Sequence, residues 1–174
     1  MDQIKFELKR LLGGTTSDIN SEGKTIVPYE VASSTDIGVV IEKATNILII
    51  ADKLSLDGLW PSRDQWAVRL PVWFVSACSP EKTPEQLKLY LEWWDGLNRE
   101  QKLEYAKTPR NWSLMNWTHA ISPNRRSWLW WDSRAISDTR SILRILVDGH
   151  PFSTGSLEWL LRASGADTII EIGS

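Results

Sequence analysis

The chain has 174 residues, a formal charge of −2 at pH 7 and 42% hydrophobic residues, the composition of an ordinary globular protein. This charge argues against nucleic-acid binding, which needs a basic surface to neutralise phosphates, and a single cysteine excludes an internal disulfide. All eleven tryptophans lie between Trp60 and Trp159. We therefore predict one domain, 1–174, with a Trp-free N-terminal helical part, 1–59, and a Trp-rich part, 60–174.

The N-terminal part contains two helical patterns separated by a loop and an extended segment. Apolar residues recur at helical spacing over residues 4–12, immediately before a pair of glycines. The next ten residues, 15–24, have the composition of a loop. Residues 24–31 are predicted to be extended, with Pro28 marking an edge or an end of a strand. A longer helix is then predicted over residues 36–53.

The middle of the chain carries three capping boxes, in which Ser, Thr or Asn is followed three residues later by Gln. They are Ser62–Gln65, Thr83–Gln86 and Asn98–Gln101. Each predicts the start of a helix, and Pro84 strengthens the second. That helix has a wide apolar stripe, which we predict to face the core. The stripe contains Leu87, Tyr90, Leu91, Trp94 and Leu97.

The pattern changes at Trp128. Residues 128–133 alternate as a strand does, and residues 142–147 are a β-branched and aliphatic run, so the two predict a hairpin. A helix over 154–164 and a strand over 168–172 follow, and a helix between strands usually crosses to a parallel neighbour. The predicted fold is α+β, with a helical N-terminal two-thirds packed on a small mixed sheet formed mainly by the C-terminal third.

No pattern of catalytic or metal-binding residues stands out. His119 and His150 have no partner at metal-site spacing, and Asp148–Gly149 before His150 is typical of a turn. Cys78 lies in an apolar run without an activating neighbour, so we expect a buried, inert thiol. The sequence therefore predicts no enzyme, no metal and no cofactor.

The candidate binding site is the aromatic strand. In a strand, Trp128 and Trp130 point to one face and Trp131 to the other. Because few helices follow to cover both faces, we expect at least one of these indoles to be exposed, with Arg126 and Asp132 on its rim. Trp and Arg are enriched at binding hot spots, and a contiguous exposed aromatic patch usually marks a binding site.

The absence of an apolar run long enough for a signal peptide or a membrane span predicts a cytoplasmic protein. Its expected partner is another protein, such as a toxin neutralised by an immunity-type inhibitor of bacterial origin, or a second copy of itself. Neither nucleic acid nor membrane is an expected partner. One alternative is a Trp-lined pocket for a carbohydrate or another small molecule, with Glu92, Asp95 and Asp132 as its carboxylates and with or without hydrolysis. Another is a structural subunit of a homo-oligomer.

Overall fold

The computed structural model describes residues 2–14, 23–58, 60–149 and 151–173. Residues 15–22 of the loop predicted at 15–24, and His150, lie outside these residues. In chain order, the described elements are α1 (Asp2–Leu11), β1 (Thr25–Ala32), α2 (Ile37–Leu56), α3 (Arg63–Arg69), α4 (Val72–Ala77), α5 (Pro84–Gly96), α6 (Arg99–Lys107), α7 (Leu114–Ala120), β2 (Trp128–Ser137), β3 (Arg140–Val147), α8 (Gly155–Ser164) and β4 (Thr168–Glu171). The α+β class is confirmed.

The four described strands form one antiparallel sheet in the order β2-β3-β1-β4. The predicted hairpin is present as β2 and β3. The prediction of a mixed sheet is wrong, because β1 inserts between β3 and β4 and pairs antiparallel with both. As a result, β3 and β4 run in the same direction without being neighbours, and α8 connects them across the intervening strand.

Pro28 lies inside β1, and thus in an interior strand. Its carbonyl accepts a hydrogen bond from the Ile172 backbone at 2.9 Å, whereas the ladder with β4 extends only from Tyr29 to Ala32. The proline is therefore placed beyond the end of the neighbouring strand, where the missing N–H costs no ladder hydrogen bond.

The core lies between the sheet and the helices α2 and α8, with α3, α4 and α7 adding large side chains. α2 contributes a continuous buried face, as its periodicity predicts. Three indoles are almost fully buried there, and they belong to Trp66, Trp117 and Trp128. Within the described residues, no helix is both long and apolar enough to cross a membrane.

Helices α5 and α6 stand apart from this core. We call this pair of helices the arm, and we call the remaining helices together with the sheet the body. The chain leaves the body at Ser79 and returns at Ser113, and these two residues form a parallel bridge. The Ser79 backbone donates to the Trp112 carbonyl at 3.0 Å, and a Glu81 carboxylate oxygen accepts from the Met115 backbone at 2.9 Å. The arm is thus pinned at its base, while α5 itself contains no buried residue.

Candidate functional site

The aromatic strand β2 places two of its indoles in the core. Trp128 and Trp130 are opposite Val147 and Ile145 on the buried face of β3. The Trp128 indole nitrogen donates to the Ser156 hydroxyl at 3.1 Å, which satisfies the polar atom that a buried indole carries. Both side chains are therefore structural parts of the body, and neither is available to a partner.

A β-bulge at Trp131 explains where the next residues point. Trp130 is opposite Ile145, but Asp132 is opposite Arg144, so Trp131 is an extra residue in the ladder. Strict alternation would have put the Asp132 carboxylate on the buried face beside Trp130. The bulge instead places it on the outer face, where Asp132 accepts from the Arg144 Nε at 2.7 Å.

Trp131 is half-buried, because α1 covers that part of the outer face. The Arg10 guanidinium carbon lies 3.5 Å from the centroid of the indole, which is cation–π geometry. The expectation that too few helices cover the sheet neglected α1, which comes from the other end of the chain. The predicted site therefore presents one partly covered indole.

Arg126 is not on a rim, and this part of the prediction is wrong. Only 2% of its side chain is exposed, and it forms ion pairs with Glu7 of α1 and with Asp52 of α2. Glu7 also accepts a hydrogen bond from the Trp130 backbone. These three charged side chains form a buried cluster that joins α1, α2 and the start of β2.

Burial shifts the titration of both carboxyl groups in this cluster. Desolvation raises the pKa of Glu7 to about 8, against the attraction of Arg126. Desolvation likewise raises the pKa of Asp52 to about 6. At neutral pH, burial therefore favours the protonated form in this carboxyl pair, with the larger pKa increase on Glu7, and the attraction of Arg126 opposes the increase in both groups.

The predicted inward stripe of α5 is the second major difference. Leu87 and Leu91 remain about half exposed, although they share a face with Trp94. That face packs on Tyr105 of α6, with ring centroids 5.6 Å apart for Trp94 and Tyr105, and no further layer of described residues buries Leu87 and Leu91. The sequence of a helix does not show whether another element packs on its apolar stripe.

The prediction from the sequence missed the side of the arm that carries Leu89 and Trp93 of α5, which we call its outer side. Leu89, Trp93 and Leu103 are all exposed. A signal was present, because apolar residues of α5 extend around far more of the helix than one stripe needs. The proposed sugar-site carboxylates lie on two different elements: Glu92 and Asp95 belong to α5, where Glu92 faces Lys88, whereas Asp132 is paired with Arg144 on the sheet.

Cys78 is half-buried instead of fully buried. Its thiol donates to the Phe74 carbonyl at 3.4 Å. Burial raises the pKa of the thiol to about 11, so the unreactive protonated form predominates at neutral pH.

Comparison of the chain with known protein families, curated proteins and solved structures finds no match.

Proposed function

We propose that the protein is a non-enzymatic binding module whose partner is another protein, and that the outer side of the arm is its binding surface. The observation that carries this proposal is the exposure of apolar side chains on α5, a thirteen-residue helix without a buried residue. Leu89 is 65% exposed and Trp93 is 45% exposed. Apolar surface of this kind gains free energy when a partner removes it from water.

The construction of the arm supports the same proposal. Its two ends are joined at the base, and each helix begins with a complete capping box. A partner would therefore meet preformed helices, and binding would cost less conformational entropy than ordering a loop. The chemistry also fits, because Trp is among the residues that most often dominate the binding energy of protein interfaces.

We further propose that the protein acts in the cytoplasm. The small size and slight negative charge of the chain fit an immunity-type inhibitor of bacterial origin. The partner would then be the toxin that it neutralises, and a second copy of the chain is the other candidate partner.

The test replaces Leu89 and Trp93 together by Asp. Proteins retained by the immobilised chain from an extract of its source cells are quantified, and the retained proteins are then purified and titrated by calorimetry. The matched control is Val68→Asp with Val72→Asp, since these two body valines are even more exposed, at 83% and 80%. Circular dichroism verifies that each variant is folded.

We expect a specific partner whose affinity falls at least about tenfold in the arm variant and stays unchanged in the control variant. Self-association would appear as a concentration-dependent mass in sedimentation that only the arm variant loses. Equal binding by all three proteins would refute the arm as the surface.

A further inference from the structure

A groove runs under the base of the arm, and Leu89 is not among the residues that line it. It lies between α5, α6, the segment that follows α6, and α7, with a volume of about 480 Å³. Small-molecule sites typically have volumes of roughly 300–1,000 Å³, with mainly apolar walls and a few placed polar groups. The groove contains none of the residues on which the proposed protein-binding surface depends.

The apolar walls of the groove are aromatic. Tyr90 and Tyr105 come from the arm, and Trp112 comes from the segment leading to α7. All three are half-buried, and the two tyrosines are held in place by Trp93, whose ring centroid lies 5.6 Å from that of Tyr90 and 4.9 Å from that of Tyr105. Flat, rigid rings at several sides of one groove suit a ligand that is itself a flat ring.

Two cations at the groove have no carboxylate partner in the described part of the chain. The Lys82 nitrogen lies 4.9 Å from the centroid of Tyr90, and the Arg110 guanidinium carbon lies 3.7 Å from that of Tyr105. Glu81 also lines the groove, but its carboxylate accepts from the Met115 backbone and faces Arg63 at 3.8 Å. The groove therefore carries an uncompensated positive charge, held in place by the tyrosine rings.

Three further polar side chains line the groove: Asn111, Asn116 and His119. Within the described residues, none of these side chains makes a hydrogen bond. An amide offers both donors and an acceptor, and an imidazole offers at least one donor. They are free to bind a ligand that enters between the aromatic walls.

From these contacts we propose that the groove binds a small organic anion, in which a carboxylate or a phosphate is attached to a flat ring. Arg110 and Lys82 bind the anionic group, because a guanidinium donates in parallel to two oxygens and an ammonium adds a point charge. The ring packs on Trp112, beside the two tyrosines that hold the cations, and Asn111, Asn116 and His119 bind its polar edge. The proposal does not depend on the arm's protein partner.

The test is calorimetric titration of the full chain with matched pairs of probes. Indole-3-acetate is compared with tryptophol, which has the same ring and no carboxylate. AMP is compared with adenosine, and inorganic phosphate is titrated alone. The two pairs distinguish a carboxylate ligand from a phosphate ligand, and free phosphate tests whether the ring is needed.

We expect the anionic member of at least one pair to bind with a Kd below about 1 mM, and its neutral counterpart at least about tenfold more weakly. Arg110→Gln combined with Lys82→Gln should remove that preference. Lys88→Gln, which alters a lysine near Glu92 on the charged side of α5, should bind like the parent.

Three results would overturn the proposal: no anionic probe binding below about 1 mM, a neutral probe binding as tightly as its anion, or unchanged affinity in the double variant. Free phosphate binding as tightly as AMP would overturn the role of the aromatic walls. Leu89→Asp alone should leave probe binding intact, because Leu89 does not line the groove, whereas Trp93 packs on the groove residue Tyr105 and is left unchanged in this control. Failure here and failure of the protein-binding proposal are therefore distinguishable.

Discussion

The body and the arm use tryptophan in opposite ways. In the body, five indoles are buried, at Trp66, Trp117, Trp128, Trp130 and Trp159. In the arm, Trp93 is exposed and Trp94 is half-buried, although the local sequence is just as apolar. The difference lies in what is packed above each helix. The body places its helices on a sheet, whereas α5 of the arm packs on α6 with no sheet beneath it in the described part of the chain.

This difference predicts where the free energy of folding is concentrated. A buried indole contributes its whole apolar area, and a large cavity forms when it is removed. An exposed indole contributes little to folding and remains available for binding. Substitutions in the body should therefore alter the stability of the whole chain, and substitutions in the arm should alter local stability or binding.

The largest effect is expected for Trp117→Ala in the body. Trp117 is fully buried, packs on Phe74 with ring centroids 4.7 Å apart, and donates to the Ser156 carbonyl at 3.0 Å. Its loss should cost about 3–5 kcal/mol of the free energy of unfolding, measured by urea denaturation. A cost below about 1 kcal/mol would show that the body does not depend on its buried indoles.

The second prediction concerns the buried cluster of the body. Since the folded pKa of Glu7 is raised from 4.5 to about 8, the folded state binds its proton more tightly than the unfolded state does. This contribution is fully present below about pH 4.5 and is lost as the pH rises through about 8. Asp52 acts in the same direction, but over a lower range that ends near pH 6.

Between pH 6 and 8, the parent should therefore lose roughly 2–3 kcal/mol of stability through Glu7. Glu7→Gln should flatten this part of the profile, because Gln does not titrate. Free energies of unfolding from urea titrations at several pH values measure the slope. The control is Glu92→Gln on the exposed side of α5, which should retain the parent profile; an equal slope in parent and Glu7→Gln would contradict the assignment.

Most elements could be predicted from the sequence because their signals are local. The capping boxes at Ser62, Thr83 and Asn98 mark the first turns of α3, α5 and α6 as predicted. Gly165 ends α8 with a φ of +115°, a conformation that favours glycine. In each case, the residues that decide the structure lie within a few positions of one another.

The remainder depends on distant parts of the chain. Arg126 is buried because it pairs with Glu7 of α1 and Asp52 of α2, which are far from it in the sequence. Trp131 is covered because α1, from the start of the chain, packs against the sheet. The arm is exposed because no further helix or strand of the described residues packs over it, and the sequence of α5 alone does not indicate this. The bulge at Trp131 depends on how β3 pairs, so alternation alone misplaced Asp132.

A smaller effect, confined to the arm, is expected from Thr83→Ala. The Thr83 hydroxyl accepts from the Gln86 backbone at 3.2 Å and caps the first turn of α5. Removing the cap should cost about 1 kcal/mol locally, so amides of α5 should exchange about fivefold faster. Amides of β1 and β3 should be unchanged, since the arm opens without the body. Equal acceleration in both regions would show that the arm and the body unfold together.

The smallest effect on stability is expected for Trp93→Ala, and this is the sharpest contrast with Trp117→Ala. Trp93 lies on the outer side of the arm and packs on Tyr105 and Tyr90, with ring centroids 4.9 Å and 5.6 Å away. Its removal should change the free energy of unfolding by about 1 kcal/mol or less, because it leaves no cavity in the core and removes only ring contacts within the arm. Urea denaturation of the two variants side by side measures the contrast. If Trp93→Ala proves as costly as Trp117→Ala, the arm is part of the core, and its apolar side chains serve folding instead of binding. A small cost leaves the indole without a folding role, and the large apolar area of Trp93 is then available to a partner.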